Sequence, residues 1–99
     1  MNVQPVDILL IEDNQDDIEL TQEALALGKV VNTLTVARDG QEALRYLFGN
    51  GTAPEKIPGL ILLDLRLPKI DGIELLKRIK AEPILRRVPV VVLTTSKRD

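Results

Sequence analysis

Short apolar runs alternate along this chain with longer segments in which apolar residues recur at helical spacing. The strands predicted at Val6–Ile11, Leu60–Leu63 and Pro89–Leu93 are built on unbroken apolar runs. Such runs, bounded by turn residues, are typical of parallel strands buried on both faces. A further strand is predicted at Thr33–Ala37, where apolar and polar residues alternate.

Three helices are predicted between these strands, each with a capping residue at its start. Asn14 and Asp71 can cap the first and third helices, and Gly28 ends the first. Asp39, with Glu42 three residues later, resembles a capping box for the second. The apolar residues expected to face inward are Ile18, Leu20, Ala24, Leu25 and Leu27, then Ala43, Leu44, Leu47 and Phe48, and finally Ile73, Leu75, Leu76 and Ile79.

The alternation of strands and helices predicts an α/β fold. Four strands joined by three helices favour a doubly wound parallel sheet with right-handed crossovers and helices on both faces. The length of 99 residues is that of one domain, residues 1–99. No further strand or helix is predicted after the fourth strand in these 99 residues, so we expect its outer edge to be uncovered. We therefore expect this chain to self-associate there, by edge pairing or element exchange.

Acidic residues follow two of the buried strands at the point where each strand ends. Glu12 and Asp13 come after the first strand and Asp64 after the third, while Thr94 follows the fourth. Open α/β sheets place their ligands at this carboxyl edge. Carboxylates held close together repel one another, so some of them would bind protons unless a cation were present. Hard oxygen ligands suit Mg²⁺. A carboxylate beside such a metal can attack phosphorus, and a hydroxyl can bond a phosphoryl oxygen.

Taken singly, each of these residues has an ordinary structural explanation. Asp64 can close a turn, Asp13 can cap the first helix, and Thr94 can simply be a β-branched strand residue. Their joint placement at one sheet edge is what favours a site for a cation and a phosphoryl group.

Composition removes several classes of function. The chain has no cysteine and no histidine, which excludes disulfides, thiolate chemistry, histidine-based zinc sites and a histidine general base. A net charge of −2 argues against non-specific nucleic-acid binding, and an aromatic content of 2% leaves few stacking platforms for bases. The apolar runs are too short to span a membrane, and the N-terminus does not resemble a signal peptide. A cytoplasmic protein that binds neither nucleic acid nor membrane is expected.

Several segments together resemble the receiver domain of two-component response regulators. They are Ile8–Asn14, Leu62–Pro68 with Asp71–Gly72, and Pro89–Thr94, in that order along the chain. The long loop Gly49–Gly59 is similar to that of single-domain receivers that work with phytochrome-type histidine kinases. The resemblance implies a flavodoxin-like fold and a phosphoacceptor switch, not an enzyme that turns over a metabolite.

The resemblance also implies a role for each matching residue. Asp64 would accept a phosphoryl group from a kinase phosphohistidine or from a small phosphodonor. Glu12 and Asp13 would form the acidic pocket, and Mg²⁺ would be held by Asp13, Asp64 and the backbone carbonyl of Arg66. The hydroxyl of Thr94 would follow the phosphoryl group.

This sequence departs from the family pattern at its C-terminal end. Family members continue with a fourth helix, a fifth strand that carries an active-site lysine, and a fifth helix. One alternative is therefore a truncated or engineered receiver fragment that self-associates and has lost signalling.

Two further alternatives meet objections in the sequence itself. A metal-dependent phosphohydrolase usually needs a second acid two residues after the nucleophile, where this chain has Arg66. A dinucleotide-binding half-domain conflicts with the negative charge of Glu12 and Asp13, which would face the pyrophosphate.

Overall fold

The structure is a computed structural model that describes residues 4–51, 53–67 and 71–93. It confirms the predicted order of strands and helices, with three strand ends moved by one residue, and adds a short 3₁₀ helix before the last strand. Among the described helices, none combines the length and apolarity that a membrane crossing requires. The elements are β1 Val6–Ile11, α1 Gln15–Leu27, β2 Asn32–Ala37, α2 Gly40–Phe48, β3 Leu60–Asp64, α3 Gly72–Ala81, the 3₁₀ helix Leu85–Arg87 and β4 Val90–Leu93.

The four strands form one parallel sheet in the order β2-β1-β3-β4. Ile11, the last residue of β1, is aligned with Ala37 on one side and with Leu63 on the other. The carboxyl ends of the three strands are therefore level, and the residues that follow them leave the sheet at the same edge. This register is what brings chain segments far apart in sequence to one site.

Helices cover both faces of the sheet, as a doubly wound fold requires. On one face α1 contributes Ile18 to a cluster with Ile8 and Leu10. The other face is packed against α2 and α3. The buried residues of this larger cluster are Leu9, Ile11, Ala37, Ala43, Leu47, Ile61, Leu63, Leu75, Ile79, Leu85 and Val88.

Each helix begins at the capping residue that the sequence predicts. The side chain of Asn14 accepts a hydrogen bond from the Asp17 N–H at 3.0 Å, and that of Asp71 accepts one from the Ile73 N–H at 3.2 Å. Asp39 caps α2 in the same way, accepting from the Glu42 N–H at 2.8 Å. These caps fix where the chain turns from each strand end into its helix.

The prediction of which apolar residues face inward is wrong for part of α1 and α3. Ile18 is buried and Leu25 half-buried, whereas Ala24 is exposed and Leu20 and Leu27 are 62% and 78% exposed. Each of these two leucines lies two residues beyond an inward-facing position, which turns it about 200° around the helix axis. Ile73 at the start of α3 is exposed as well.

Gly72 lets α3 start directly against the loop that follows β3. A Cβ atom at this position would lie 2.5 Å from the Leu65 Cα and 2.7 Å from its carbonyl oxygen. Both are backbone atoms that cannot move aside, so a Gly72→Ala variant is expected to be less stable by about 1–3 kcal/mol, although alanine favours helices. Urea unfolding measures this difference.

Gly51→Ala is the matched control for that measurement. Among the described residues, a Cβ there would meet only the Phe48 carbonyl oxygen, at 3.9 Å. Equal unfolding midpoints for the two variants would show that the close approach to Leu65 does not constrain the start of α3.

Candidate functional site

Three carboxylates meet at the carboxyl edge of β1 and β3. Asp64 is the last residue of β3, and Glu12 and Asp13 directly follow β1. Glu12 and Asp64 are each only 2% exposed, while Asp13 is exposed. One oxygen from each of the three side chains lies within 4.8 Å of the others. The convergence that the sequence predicts for these acids is therefore present in the structure.

Backbone groups fix the two buried carboxylates. The Arg66 N–H donates to Asp64 Oδ1 at 2.9 Å, and the Asn14 N–H donates to Glu12 Oε2 at 3.3 Å. The Glu12 N–H in turn donates to the Ala37 carbonyl at 2.9 Å, which ties the end of β1 to the end of β2. Asp64 thus closes a tight turn and belongs to the acidic cluster at the same time.

Burial changes the protonation of Glu12. Desolvation, together with a hydrogen bond to the Asp64 side chain, raises the pKa of the Glu12 carboxyl from 4.5 to about 7, against the opposing effect of the Asn14 N–H. The negative charge of Asp64 acts in the same direction as desolvation. Below about pH 7 the folded chain therefore favours the protonated, neutral form of the Glu12 carboxyl.

The cluster fits a divalent cation. It offers oxygen donors only, which is the ligand type that Mg²⁺ and Mn²⁺ prefer. One oxygen of each carboxylate lies within 4.8 Å of the others, so a cation at this edge would offset the repulsion among the three side chains.

The predicted roles of two further site residues, Thr94 and Arg66, stay predictions. Thr94 lies outside the described residues. Arg66 is described, and its N–H contacts Asp64, but the role of its carbonyl as a metal ligand stays a prediction.

The hydropathy pattern gives no signal for a second side-chain pair at this edge, Arg38 with Gln15. These two residues are 23 positions apart, and only the alignment of β1 with β2 brings them together. The sequence does give one indication of this pair, because Gln15 and Arg38 each come shortly after the end of a predicted strand.

The strand order and the acidic edge define the class of protein. A parallel sheet ordered β2-β1-β3-β4, with its acids at the ends of the central strands, is a flavodoxin-like α/β fold whose ligand site lies where the strand order reverses. Residues 8–99 match the response regulator receiver domain, and the chain belongs to that family.

Relatives and solved structures agree with this assignment. Response regulator Rcp1 of Synechocystis sp. is 47% identical over 98 residues, which are 96% of this chain and 65% of Rcp1. The chain thus spans a little under two thirds of this curated relative. The phosphorylated cyanobacterial phytochrome response regulator RcpA shares 49% identity with a TM-score of 0.80, over 96% of this chain and 69% of that one. The Mn(2+)-bound form of Rcp1 shares 45% identity at the same TM-score and the same coverage of each chain.

Proposed function

We propose that this chain is a phosphoacceptor receiver domain of two-component signalling, in which Asp64 takes a phosphoryl group from a histidine kinase. The observation that carries the proposal is the meeting of Asp64 with Glu12 and Asp13 at the sheet edge, with their oxygens within 4.8 Å. The family supports it, as does a 49% identical relative whose solved form is phosphorylated. The protein is accordingly a signalling switch, with self-catalysed transfer to its own aspartate as its only chemistry.

The transfer is a displacement at phosphorus. A carboxylate oxygen of Asp64 forms a P–O bond while the P–N bond of the kinase phosphohistidine breaks. The departing imidazole nitrogen keeps the electron pair and takes a proton from water. The Arg66 N–H, at 2.9 Å from Oδ1, holds the carboxylate in one orientation for this attack.

We further assign Mg²⁺ to the acidic cluster. Asp13, Asp64 and the Arg66 carbonyl would hold it, with Glu12 completing the pocket and the Thr94 hydroxyl bonding the phosphoryl oxygens. The all-oxygen donor set and the Mn(2+)-bound relative support a divalent ion. When bound, such an ion offsets the negative charge on the transferring oxygens.

Intact mass measurement tests the proposed function. The chain is incubated with acetyl phosphate and Mg²⁺, and we expect a mass increase of one phosphoryl group. The same incubation with a chelator in excess is expected to leave the mass unchanged. A folded chain that gains no phosphoryl group in Mg²⁺ would overturn the proposal.

The proposed partner is a phytochrome-type histidine kinase in the cytoplasm. RcpA, a phytochrome response regulator, supports this type of kinase. Transfer of labelled phosphate from such a kinase to the chain, faster than from an unrelated histidine kinase, is the expected result. Equal rates from both kinases would contradict the assignment.

A second proposal concerns self-association along β4. This strand is an edge of the described sheet, and Val91 and Val92 are 47% and 38% exposed. They are aligned with Leu62 and Leu63 and so lie on opposite faces. An exposed apolar edge strand can pair with another chain, so we propose a homodimer or larger assembly through β4. An assembly that takes up no phosphoryl group would support the alternative of a fragment without signalling.

Light scattering at micromolar concentration tests this second proposal. The wild-type chain is expected to exceed the monomer mass, and Val91→Lys to shift it toward the monomer, because a charge on an edge strand opposes pairing. Leu20→Lys places the same charge on an exposed position of α1 and serves as the control. A monomeric wild-type chain would overturn the proposal.

A further inference from the structure

Arg38 lies at the same edge of the sheet as the acidic cluster. It directly follows β2, whose last residue, Ala37, accepts the hydrogen bond from the Glu12 N–H at 2.9 Å. The chain therefore places Arg38 one strand away from the point where Glu12 and Asp13 leave the sheet.

The guanidinium of Arg38 reaches the first turn of α1. Its Nη2 donates to the amide oxygen of Gln15, and the Gln15 amide nitrogen donates to Glu19 Oε2 at 2.9 Å. Gln15 is only two residues from Asp13. Within the described part of the chain, this neutral amide is the one side-chain hydrogen-bond partner of the guanidinium, which keeps a full positive charge near the acidic cluster.

The surroundings of the cluster are negative. Asp13 and Asp64 belong to it, and Asp16 and Asp17 lie in the first turn of α1. Phosphoryl donors are themselves anions, so this field opposes their approach. A positive charge at the rim counteracts the repulsion over a distance of about 10 Å at 0.1 M ionic strength.

We infer that Arg38, oriented by Gln15, attracts the anionic phosphoryl donor toward Asp64. This inference rests on the proposed function and deepens it. Arg38 is a steering residue: it makes no bond to phosphorus, and its charge raises the rate at which the donor enters the site. The ligand chemistry it selects is the phosphoryl dianion, whether of a small acyl phosphate or of a phosphorylated partner.

The fold does not depend on this side chain. The Arg38 backbone N–H donates to Glu42 Oε1 at 2.8 Å, and that bond can form with any side chain at this position other than proline. The contact with Gln15 is exposed, and exposed contacts of this kind contribute little to stability. An Arg38→Gln variant is therefore expected to fold as the wild type does.

The test compares rates of phosphoryl uptake from acetyl phosphate by intact mass. At low ionic strength Arg38→Gln is expected to react about threefold more slowly than wild type, and the difference should vanish in high salt. Arg38→Lys, which keeps the charge, is expected to restore most of the rate. Phosphoramidate carries less negative charge than acetyl phosphate. Arg38→Gln is therefore expected to slow phosphoryl uptake from phosphoramidate less than uptake from acetyl phosphate.

Arg86→Gln is the matched control. Arg86 is exposed in the 3₁₀ helix that precedes β4. It therefore lies toward the amino ends of the strands, whereas the acidic cluster lies at their carboxyl ends. Its loss removes the same unit of charge away from the acids. Equal rates and equal salt dependence for the Arg38 and Arg86 variants would overturn the inference.

Two other outcomes separate this inference from the proposed function. A slow Arg38→Gln that stays slow in high salt and is not restored by lysine would overturn steering and indicate a structural role. A wild-type chain that gains no phosphoryl group from either donor would overturn the proposed function, and the steering role with it.

Discussion

An Asp64→Asn variant is expected to gain no phosphoryl group under conditions in which the wild-type chain does. The neutral amide lacks the nucleophilic carboxylate oxygen that must bond to phosphorus. The substitution is otherwise mild, because the amide oxygen can still accept the Arg66 N–H and the amide nitrogen can donate to Glu12. Removing one of two adjacent buried acids is also expected to lower the pKa of Glu12 toward its ordinary value.

Asp7→Asn is the matched control for this loss. Asp7 is exposed at the opposite end of β1, and its replacement removes the same charge without touching the cluster. Intact masses of the three chains are measured after incubation with acetyl phosphate and Mg²⁺, and circular dichroism checks that each is folded. A phosphoryl adduct on Asp64→Asn as abundant as on wild type would place the acceptor at another residue.

The second large effect concerns the pH dependence of stability. The folded chain holds the Glu12 proton up to about pH 7, whereas the unfolded chain releases it near 4.5. The folded state therefore binds more protons between these values, and stability falls as pH rises through this window. The shift corresponds to at most about 3 kcal/mol lost from the free energy of unfolding between pH 4.5 and pH 8 in the absence of divalent cations.

Urea unfolding at several pH values, with a chelator present, measures this loss. Glu12→Gln is expected to flatten the dependence and to be the more stable chain at pH 8, because it removes the buried charge. Mg²⁺ added to wild type at pH 8 is expected to recover stability, since the cation takes the place of the proton. Glu23→Gln, on the exposed side of α1, is the control. Identical pH profiles for wild type and Glu12→Gln would contradict the prediction.

Much of the site follows from the sequence because parallel strands leave a sheet in register. The buried runs that end in Glu12 and Asp64 predict both strands, and the parallel pairing predicts that their acids meet. Residue type also identifies the helix starts, because a side chain such as Asn14 can satisfy a free N–H of the first turn. No local pattern specifies the order of the strands, which follows only from the flavodoxin-like fold that the family resemblance implies.

Other features depend on packing that no local pattern encodes. In α1, apolar residues occur on several sides of the helix, so the pattern does not say that Ile18 is buried and Leu27 exposed. Likewise, the sequence presents Glu12 and Asp13 as equivalent acids. Only the turn at the end of β1 buries the first and exposes the second, and with that burial comes the raised pKa of Glu12.

The close approach of Gly72 to Leu65 has a mechanical consequence. Leu65 is the next residue after Asp64, and its carbonyl oxygen accepts the Gly72 N–H at 3.3 Å. Asp64 and the first turn of α3 are thus joined by one peptide unit and one backbone contact, with no side chain between them to absorb movement. A displacement of the backbone at Asp64 is therefore expected to shift the first turn of α3 as well, through the Leu65–Gly72 contact.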